Sequence, residues 1–362
     1  MGKIAGLIFT AVATGIVVAV VKGKKAPPPP PPPPPSDTPV PLMDMIDSTY
    51  FGFPGLLYPG SNLAPEGHDL AGLDFASQVQ PLSATGIFSP AGKIVLMSVG
   101  YSNTQGYFAN YGSDSGPKAA FPTPESFIGQ ANAHPSVNHL EVAFACGAGG
   151  GKDSYEWDQP TDPPYGFAED NELGKLGLTE AQVQAIWLQG VIASPEAGHG
   201  LLTIPQSLIT PGLTYVQALT AALGDTLRAI RVRYPNCQQV FLSSVNYTGY
   251  QPGTSTLQPD LYAYECSFAH KWVIEAQINQ MAGKGIDPVA GDLSYPAAAP
   301  WTAWALDLWA NDGIARSDGL FWLPGDFVGD FIHPGPLGVE KVGGRLLDFF
   351  LTSPYTSPWF KV

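Results

Sequence analysis

The stretch KIVLMSVGYSNT at residues 93–104 joins a compact apolar run to a short polar segment. The apolar run, residues 93–99, has the length and near-continuous apolar content of a strand that is buried on both faces. Gly100 follows it, and Ser102 comes two residues later. A serine between a strand end and a helix start exposes its hydroxyl near a helix N-terminus, which favours negative charge. The alternative reading of Ser102 is an ordinary helix cap.

The rest of the chain repeats this alternation of strand-like and helix-like segments. Further apolar runs of strand length lie at residues 140–146, 185–192 and 239–245, and helical patterns lie at residues 214–234, 264–282 and 336–351. The alternation predicts an α/β fold, with a parallel sheet and helices on both faces. Ligands of such sheets bind beyond the carboxyl ends of the strands. Long segments rich in glycine, proline and aromatic residues, at 101–139 and 147–178, follow strand ends and are expected to build a site there.

Two further groups of residues suit chemistry at those strand ends. Asp330 and His333 stand three residues apart just before the last predicted helix, a spacing that lets a carboxylate orient an imidazole for general-base work. The alternative is a surface turn that caps the helix. Five residues at 147–151, four of them glycine, follow the second strand. Glycines let backbone N–H groups approach a reacting oxygen, although such a run is also an ordinary tight turn.

The order of these features resembles the SGNH (GDSL-type) hydrolase superfamily of serine esterases, in a branch that reads GxSNT in place of GDSL. The resemblance covers most of residues 50–352 and includes VLMSVGYSNT, GAGGGKD and GDFIHPGPLGVEKVGGRLLDFF. It implies a flavodoxin-like, three-layer α/β/α sandwich and the hydrolysis of acyl esters without a metal or an organic cofactor. It also implies that Ser102 is the nucleophile, His333 the general base and Asp330 the residue that orients His333.

The resemblance implies an oxyanion hole made of the Ser102 backbone N–H and a glycine N–H. Spacing favours Gly151 for that glycine, with Gly150 next. The family also uses an asparagine side chain after the third strand, and the matching position in this sequence is Ile192. Loss of one oxyanion donor typically costs about 10²–10³ in rate, so activity is expected to be low or altered unless another side chain replaces it.

Three other side chains are candidate substrate contacts: Asn103, Gln189 and Trp322. For Trp322 the favoured alternative is a core residue, because tryptophan usually fills cores. The amides of Asn103 and Gln189 are also the candidates to replace the missing asparagine. The resemblance favours short-acyl esters, such as O-acetyl groups of carbohydrates, as substrates, with a general carboxylesterase or lipase as the second reading. A third reading is a catalytically weak surface-binding protein that keeps the fold, which the change at Ile192 favours and the intact Ser/His/Asp set disfavours.

Composition excludes several other classes of protein. Of the 362 residues, 44% are hydrophobic and only 13% are charged, against about 25% in ordinary globular proteins. The formal net charge of −14 repels phosphate backbones and argues against nucleic-acid binding. Three cysteines stand far apart, with no zinc-binding spacing, and are expected to be buried small residues: Cys146, Cys237 and Cys266.

The first 36 residues are predicted to be an anchor and a spacer. Residues 4–21 carry no charge and span about 27 Å as a helix, close to the roughly 30 Å hydrocarbon core of a bilayer. This length favours an uncleaved anchor over a cleaved signal peptide. Nine consecutive prolines at residues 27–35 form a stiff spacer of about 28 Å.

The expected organisation is therefore an anchor or signal segment at 1–25, a polyproline stalk at 26–36 and a hydrolase domain at 37–362. Such a protein is membrane-anchored through residues 4–21, or secreted, with its domain outside the cytoplasm. The expected partner is an acyl-ester substrate, with a polysaccharide as one option, and the sequence leaves the oligomeric state open.

Overall fold

The computed structural model describes residues 38–112, 116–195, 201, 203, 204, 214–253 and 255–362. All of them belong to one compact unit, Pro33–Val362. The predicted anchor at 4–21 and the proline run at 27–35 lie outside the described residues. No helix in the described ranges has both the length and the apolar character needed to cross a membrane.

The centre of the fold is a parallel sheet. A two-stranded antiparallel pair, β1 and β2, precedes it, and the strands run as follows: β1 Thr49–Tyr50, β2 Phe53–Pro54, β3 Ile94–Gly100, β4 Val142–Cys146, β5 Val183–Gln189, β6 Gln239–Ser243 and β7 Trp301–Leu306. The five strands β3 to β7 pair in parallel in the order β4-β3-β5-β6-β7. This is the 2-1-3-4-5 order of flavodoxin-like folds, so the predicted topology is confirmed.

Helices cover the sheet and connect its strands. The α-helices are α1 Glu66–Gln78, α2 Ser102–Phe108, α3 Phe127–Ala133, α4 Pro163–Ala168, α5 Tyr215–Arg233, α6 Asp260–Met281, α7 Pro336–Thr352 and α8 Ser357–Phe360. Short 3₁₀ turns lie at Leu42–Asp44, Lys118–Ala120, Ser154–Glu156, Gly174–Leu176, Glu180–Gln182 and Pro324–Asp326, and a π turn lies at Glu169–Leu173.

Alternate side chains of each strand enter two separate hydrophobic cores. In β3, Val95 and Met97 pack in the core that contains α5 and α6, whereas Ile94 and Leu96 pack in the core that contains α2, α3 and α7. A strand with helices on both faces must be apolar on both, which explains the uninterrupted run at residues 93–99. The three-layer α/β/α sandwich predicted from the sequence is confirmed.

Some predicted elements shift in the structure. The third apolar run, predicted at 185–192, forms β5 at Val183–Gln189, so Ile192 lies beyond the strand. Helix α6 begins at Asp260, four residues before its predicted start, with Pro259 at its N-cap. Strand β7 was not predicted. The three cysteines are buried and free, as expected.

The strand order indicates at which end of the sheet a ligand is expected to bind. Chain order reverses between β3 and β5, which are neighbours in the sheet but are connected through β4 at the edge. Beyond the carboxyl ends of strands at such a switch point lies the usual ligand site of this architecture. Gly100, the last residue of β3, pairs there with Gln189, the last residue of β5. Ser102 therefore emerges at the position where the fold class binds ligands.

Candidate active site

The backbone at the end of β3 presents Ser102 as the first residue of α2. Gly100 has a φ of +145°, and a Cβ at this position would lie 2.5 Å from the backbone oxygen of Gln189. Only glycine fits both constraints, and the chain can then turn sharply out of the sheet. The Tyr101 N–H donates to Thr104 Oγ1 at 3.2 Å, which closes the first turn of the helix.

The structure brings Ser102, His333 and Asp330 into one hydrogen-bonded chain. Ser102 Oγ lies 2.8 Å from His333 Nε2, although the two residues are 231 positions apart in the sequence. His333 Nδ1 lies 2.7 Å from Asp330 Oδ2. With the Nδ1 proton donated to the carboxylate, Nε2 is the free acceptor for the serine hydroxyl proton. This is the hydrogen-bond connectivity that a nucleophile, a base and an orienting acid require.

A tight turn fixes the carboxylate of this chain. Asp330 Oδ1 accepts the backbone N–H groups of Ile332 at 2.9 Å and His333 at 3.0 Å, which leaves Oδ2 for the imidazole. Burial raises the pKa of Asp330, but the hydrogen bonds from Ile332 and His333 together lower it by more. The net pKa of Asp330 therefore lies below its ordinary value. Asp330 is therefore ionised, as a partner of a developing imidazolium must be.

A cavity of about 210 Å³ opens onto Ser102 and His333. Most of its remaining lining is apolar or backbone, and the full set is Tyr101, Ser102, Gly150, Gly151, Ala193, Leu257, Gln258, Ile332 and His333. The N–H groups of Ser102, Gly150 and Gly151 donate to no acceptor among the described residues. Both predicted oxyanion glycines thus lie at the site with unused donors, and the structure leaves the choice between them open.

Asn103 does not contact the cavity, which corrects its prediction as a substrate contact or replacement oxyanion donor. It is fully buried, and its Nδ2 donates to Asn246 Oδ1 at 3.1 Å and to the Ile332 carbonyl at 3.0 Å. Both amide hydrogens are thus engaged. Because Ile332 directly precedes His333, this amide ties the helix that carries Ser102 to the loop that carries His333.

Gln189 and Trp322 are likewise interior residues, so their prediction as substrate contacts is also corrected. Gln189 accepts from the Thr104 hydroxyl at 3.0 Å and donates to the Ser244 carbonyl at 2.7 Å, which links β5 to its neighbours. The Trp322 indole donates to the Leu308 carbonyl at 2.8 Å and is fully buried. Large buried aromatic residues fill cores, and Trp322 does so here.

Two residues at the site were not predicted. Gln258 lines the cavity, although it lies just before α6 and far along the chain from Ile192. No local motif marks it, because a long-range contact, the hydrogen bond from its N–H to the Ala193 carbonyl at 2.8 Å, joins it to the segment beside the site. Tyr111 is the second: its ring meets the His333 ring edge-on at 6.0 Å between centroids, and 42% of its surface is exposed.

A second cavity, of about 260 Å³, borders the glycine turn. It shares Gly150 with the first cavity, and Lys152, Pro164 and Phe167 also line it. Within the described ranges, no three His, Cys, Asp or Glu side chains are grouped so that they could hold a metal ion.

Comparisons with known proteins give weak similarities. No family model matches this sequence, and no curated protein matches it. Among solved structures, the acetylxylan esterase Axe2 of Geobacillus stearothermophilus is 10% identical, with 74% of this chain and 96% of that chain covered and a TM-score of 0.37. A Parabacteroides merdae protein described as a GDSL-like lipase is 12% identical, with 71% and 95% covered and a TM-score of 0.34. At such low values, function has to be inferred from the side chains of the site.

Proposed function

We propose that this protein is a serine ester hydrolase of the SGNH type, with Ser102 as its nucleophile. The observation that carries the proposal is the unbroken chain from Ser102 Oγ through His333 to Asp330, with contacts of 2.8 Å and 2.7 Å. A flavodoxin-like sheet with this chain beyond its switch point, next to a cavity, supports the same conclusion. The SGNH assignment rests on the sequence motifs together with this geometry.

The first half of the reaction forms an acyl-enzyme. His333 Nε2 takes the Ser102 proton as Oγ attacks the carbonyl carbon of the ester, and the carbonyl oxygen becomes an oxyanion. The N–H groups of Ser102 and of Gly151 or Gly150 hold this charge, and Asp330 stabilises the imidazolium. The tetrahedral intermediate then collapses, the bond to the alcohol oxygen breaks, and His333 gives its proton to that oxygen.

The second half releases the acid. A water molecule gives a proton to His333 Nε2 and attacks the acyl carbon, which forms a second oxyanion in the same hole. Collapse of this intermediate returns the proton from His333 to Ser102 Oγ and frees the carboxylic acid. Apart from the ester and one water molecule, both halves use only the side chains and backbone N–H groups named here.

The proposed substrates are short-acyl esters of carbohydrates. A cavity of about 210 Å³ with Ala193, Leu257 and Ile332 in its wall suits a small apolar acyl group. The partly exposed Tyr111 lies beside His333, where an aromatic side chain can contact the sugar of the leaving alcohol. The same apolar wall also supports the second candidate, a general carboxylesterase, which differs in having no preference for a sugar alcohol.

The test is hydrolysis of p-nitrophenyl acetate by the purified full-length chain. We expect measurable turnover that falls by about 10³-fold or more in Ser102→Ala. Ser77→Ala removes an exposed serine of α1 and should retain the wild-type rate. Equal rates in the wild type and Ser102→Ala would reject the proposal. Comparison of acetylated oligosaccharides with simple acetate esters then separates the two substrate candidates.

The proposal also assigns a role to the first 36 residues, which would tether the hydrolase domain. An uncharged run at 4–21 followed by nine prolines supports a hydrolase domain that is anchored to a membrane or secreted, outside the cytoplasm. Fractionation of cells that express the full chain should find it either in the membrane fraction, accessible to protease added from outside, or in the culture medium. Recovery in the soluble cytoplasmic fraction would contradict this part.

A further inference from the structure

The cavity beside Ser102 contains one amide side chain, that of Gln258, within the part of the chain that the structure describes. The position at which the sequence analysis expected an oxyanion amide is occupied by Ile192, which is fully buried and does not line the cavity. The next residue, Ala193, does line it, and its carbonyl accepts the Gln258 N–H. Gln258 is thus docked against the segment where the amide is missing.

The backbone holds Gln258 in an unusual conformation. Its φ is +46°, in the left-handed region that residues other than glycine rarely adopt. Three hydrogen bonds fix it there: its N–H donates to Ala193, and its carbonyl accepts the Thr248 hydroxyl at 2.8 Å and the Gln251 side chain at 3.0 Å. Strained backbone that is held so firmly is characteristic of positions where the side chain has a required direction.

Only 2% of the residue is exposed, and its side-chain oxygen has no hydrogen-bond partner among the described residues. Its Oε1 is fully buried and unpaired, and the Tyr101 hydroxyl, which lies beside this amide and also lines the cavity, is unpaired as well. The amide also lies within hydrogen-bonding reach of the Tyr101 hydroxyl. An unpaired buried amide oxygen is costly, and this residue lines an open cavity.

We propose that Gln258 is a catalytic residue whose Nε2–H donates to the oxyanion, together with the N–H of Ser102 and of Gly151 or Gly150. In this arrangement one Nε2 hydrogen faces the oxyanion and the other faces the Tyr101 hydroxyl beside it. The inference rests on the proposed ester hydrolysis. It supplies the third donor that Ile192 cannot provide, from a different segment of the chain.

The test compares Gln258→Leu and Gln258→Glu with the wild type in the full-length chain, with p-nitrophenyl acetate as substrate. Both variants lose the donor, and we expect kcat to fall by about 10²–10³-fold while KM changes by less than about threefold. Gln78→Leu is the matched control. It makes the same change at an exposed glutamine at the end of α1, which does not line the cavity, and it should keep the wild-type kcat.

A second measurement guards against variants that fold poorly. Each protein is assayed with an ester and with the thionoester in which sulfur replaces the carbonyl oxygen. Sulfur is a weak hydrogen-bond acceptor, so the ratio of the ester rate to the thionoester rate reports the strength of the oxyanion donors. This ratio does not depend on the folded fraction of the protein. We expect the ratio to fall at least about tenfold in both Gln258 variants and to stay at the wild-type value in Gln78→Leu.

The outcomes separate the two proposals. A wild-type ratio and a wild-type kcat in the Gln258 variants would overturn the role of Gln258 and leave the esterase proposal intact. A fall in kcat with an unchanged ratio would also overturn it, because Gln258 would then only support the fold. Hydrolysis by the wild type that does not depend on Ser102 would overturn both proposals at once.

Discussion

At the scale of single residues, the site depends on hydrogen bonds that fix the orientation of each catalytic group. Asp330 uses one carboxylate oxygen for two backbone N–H groups and the other for His333. The imidazole then has one defined acceptor nitrogen, which meets Ser102. Asn103 holds the nucleophile helix and the base loop together through a carbonyl next to His333. The chemistry thus needs few residues, but each has a fixed orientation.

Asp330→Asn should reduce kcat for p-nitrophenyl acetate by about 10³–10⁴-fold. The amide cannot stabilise the imidazolium, and it favours the tautomer in which Nε2 carries the proton and cannot accept one from Ser102. Asp348→Asn, at an exposed position of α7, is the control and should leave kcat unchanged. Steady-state kinetics of the three proteins checks this, and a loss below tenfold in Asp330→Asn would show that the carboxylate is dispensable.

At the scale of elements, the junction of β3 and α2 determines where the nucleophile lies. Gly100 leaves the sheet with a φ of +145°, at the point where a side chain would meet Gln189 and Thr104. The junction is rigid because the Thr104 hydroxyl also donates to the Gln189 side chain. The end of one strand, the end of its neighbour and the first turn of a helix are therefore built as one unit.

Gly100→Ala should lower the free energy of unfolding by about 2 kcal/mol or more and reduce esterase activity, because the Cβ forces the β3–α2 junction apart. Gly166→Ala is the matched control: it lies in α4, and a Cβ there meets nothing within 4 Å. The control should be neutral or slightly stabilising. Urea denaturation of both variants is the measurement, and similar midpoints for the two would show that Gly100 is not needed for the junction.

The sequence predicts the buried strands better than it predicts the edge strand β7 or the cavity residue Gln258. The apolar runs that become β3 and β6 read as strands because both of their faces are covered. Strand β7, Trp301–Leu306, escapes this rule, since it is an edge strand whose tryptophan, threonine and alanine residues form no continuous aliphatic run. Gln258 escapes for a different reason: its place depends on a hydrogen bond to a residue 65 positions earlier, and no local pattern encodes such a contact.

At the scale of the whole molecule, a buried carboxyl connects distant parts of the described fold. Glu265 of α6 is fully buried, accepts the Tyr50 hydroxyl of β1 at 3.2 Å and accepts the Ile204 N–H at 3.1 Å. Burial raises its pKa from 4.5 to about 8, and the hydrogen bonds from Ile204 and Tyr50 offset only part of this rise. The folded protein therefore keeps a proton that the unfolded chain releases.

Stability should consequently fall as pH rises from about 4.5 to about 8. In this window the folded state binds more protons at Glu265 than the unfolded state does, and linkage makes the free energy of unfolding decrease with pH. Glu265→Gln should remove this contribution, so its melting temperature relative to the wild type should rise from pH 5 to pH 8. Glu340→Gln, at an exposed position of α7, is the control. Parallel pH profiles for the wild type and Glu265→Gln would contradict the assignment.

The central claim is that Ser102 is an activated nucleophile, and a fluorophosphonate probe tests it most directly. The full-length chain is incubated with the probe and the adduct is located by peptide mass spectrometry. We predict one adduct, on Ser102, that is absent from Ser102→Ala and from the heat-denatured wild type, because only the folded protein places His333 against the hydroxyl. A folded wild-type protein that carries no adduct on Ser102, under conditions that label a known serine hydrolase, would contradict the account.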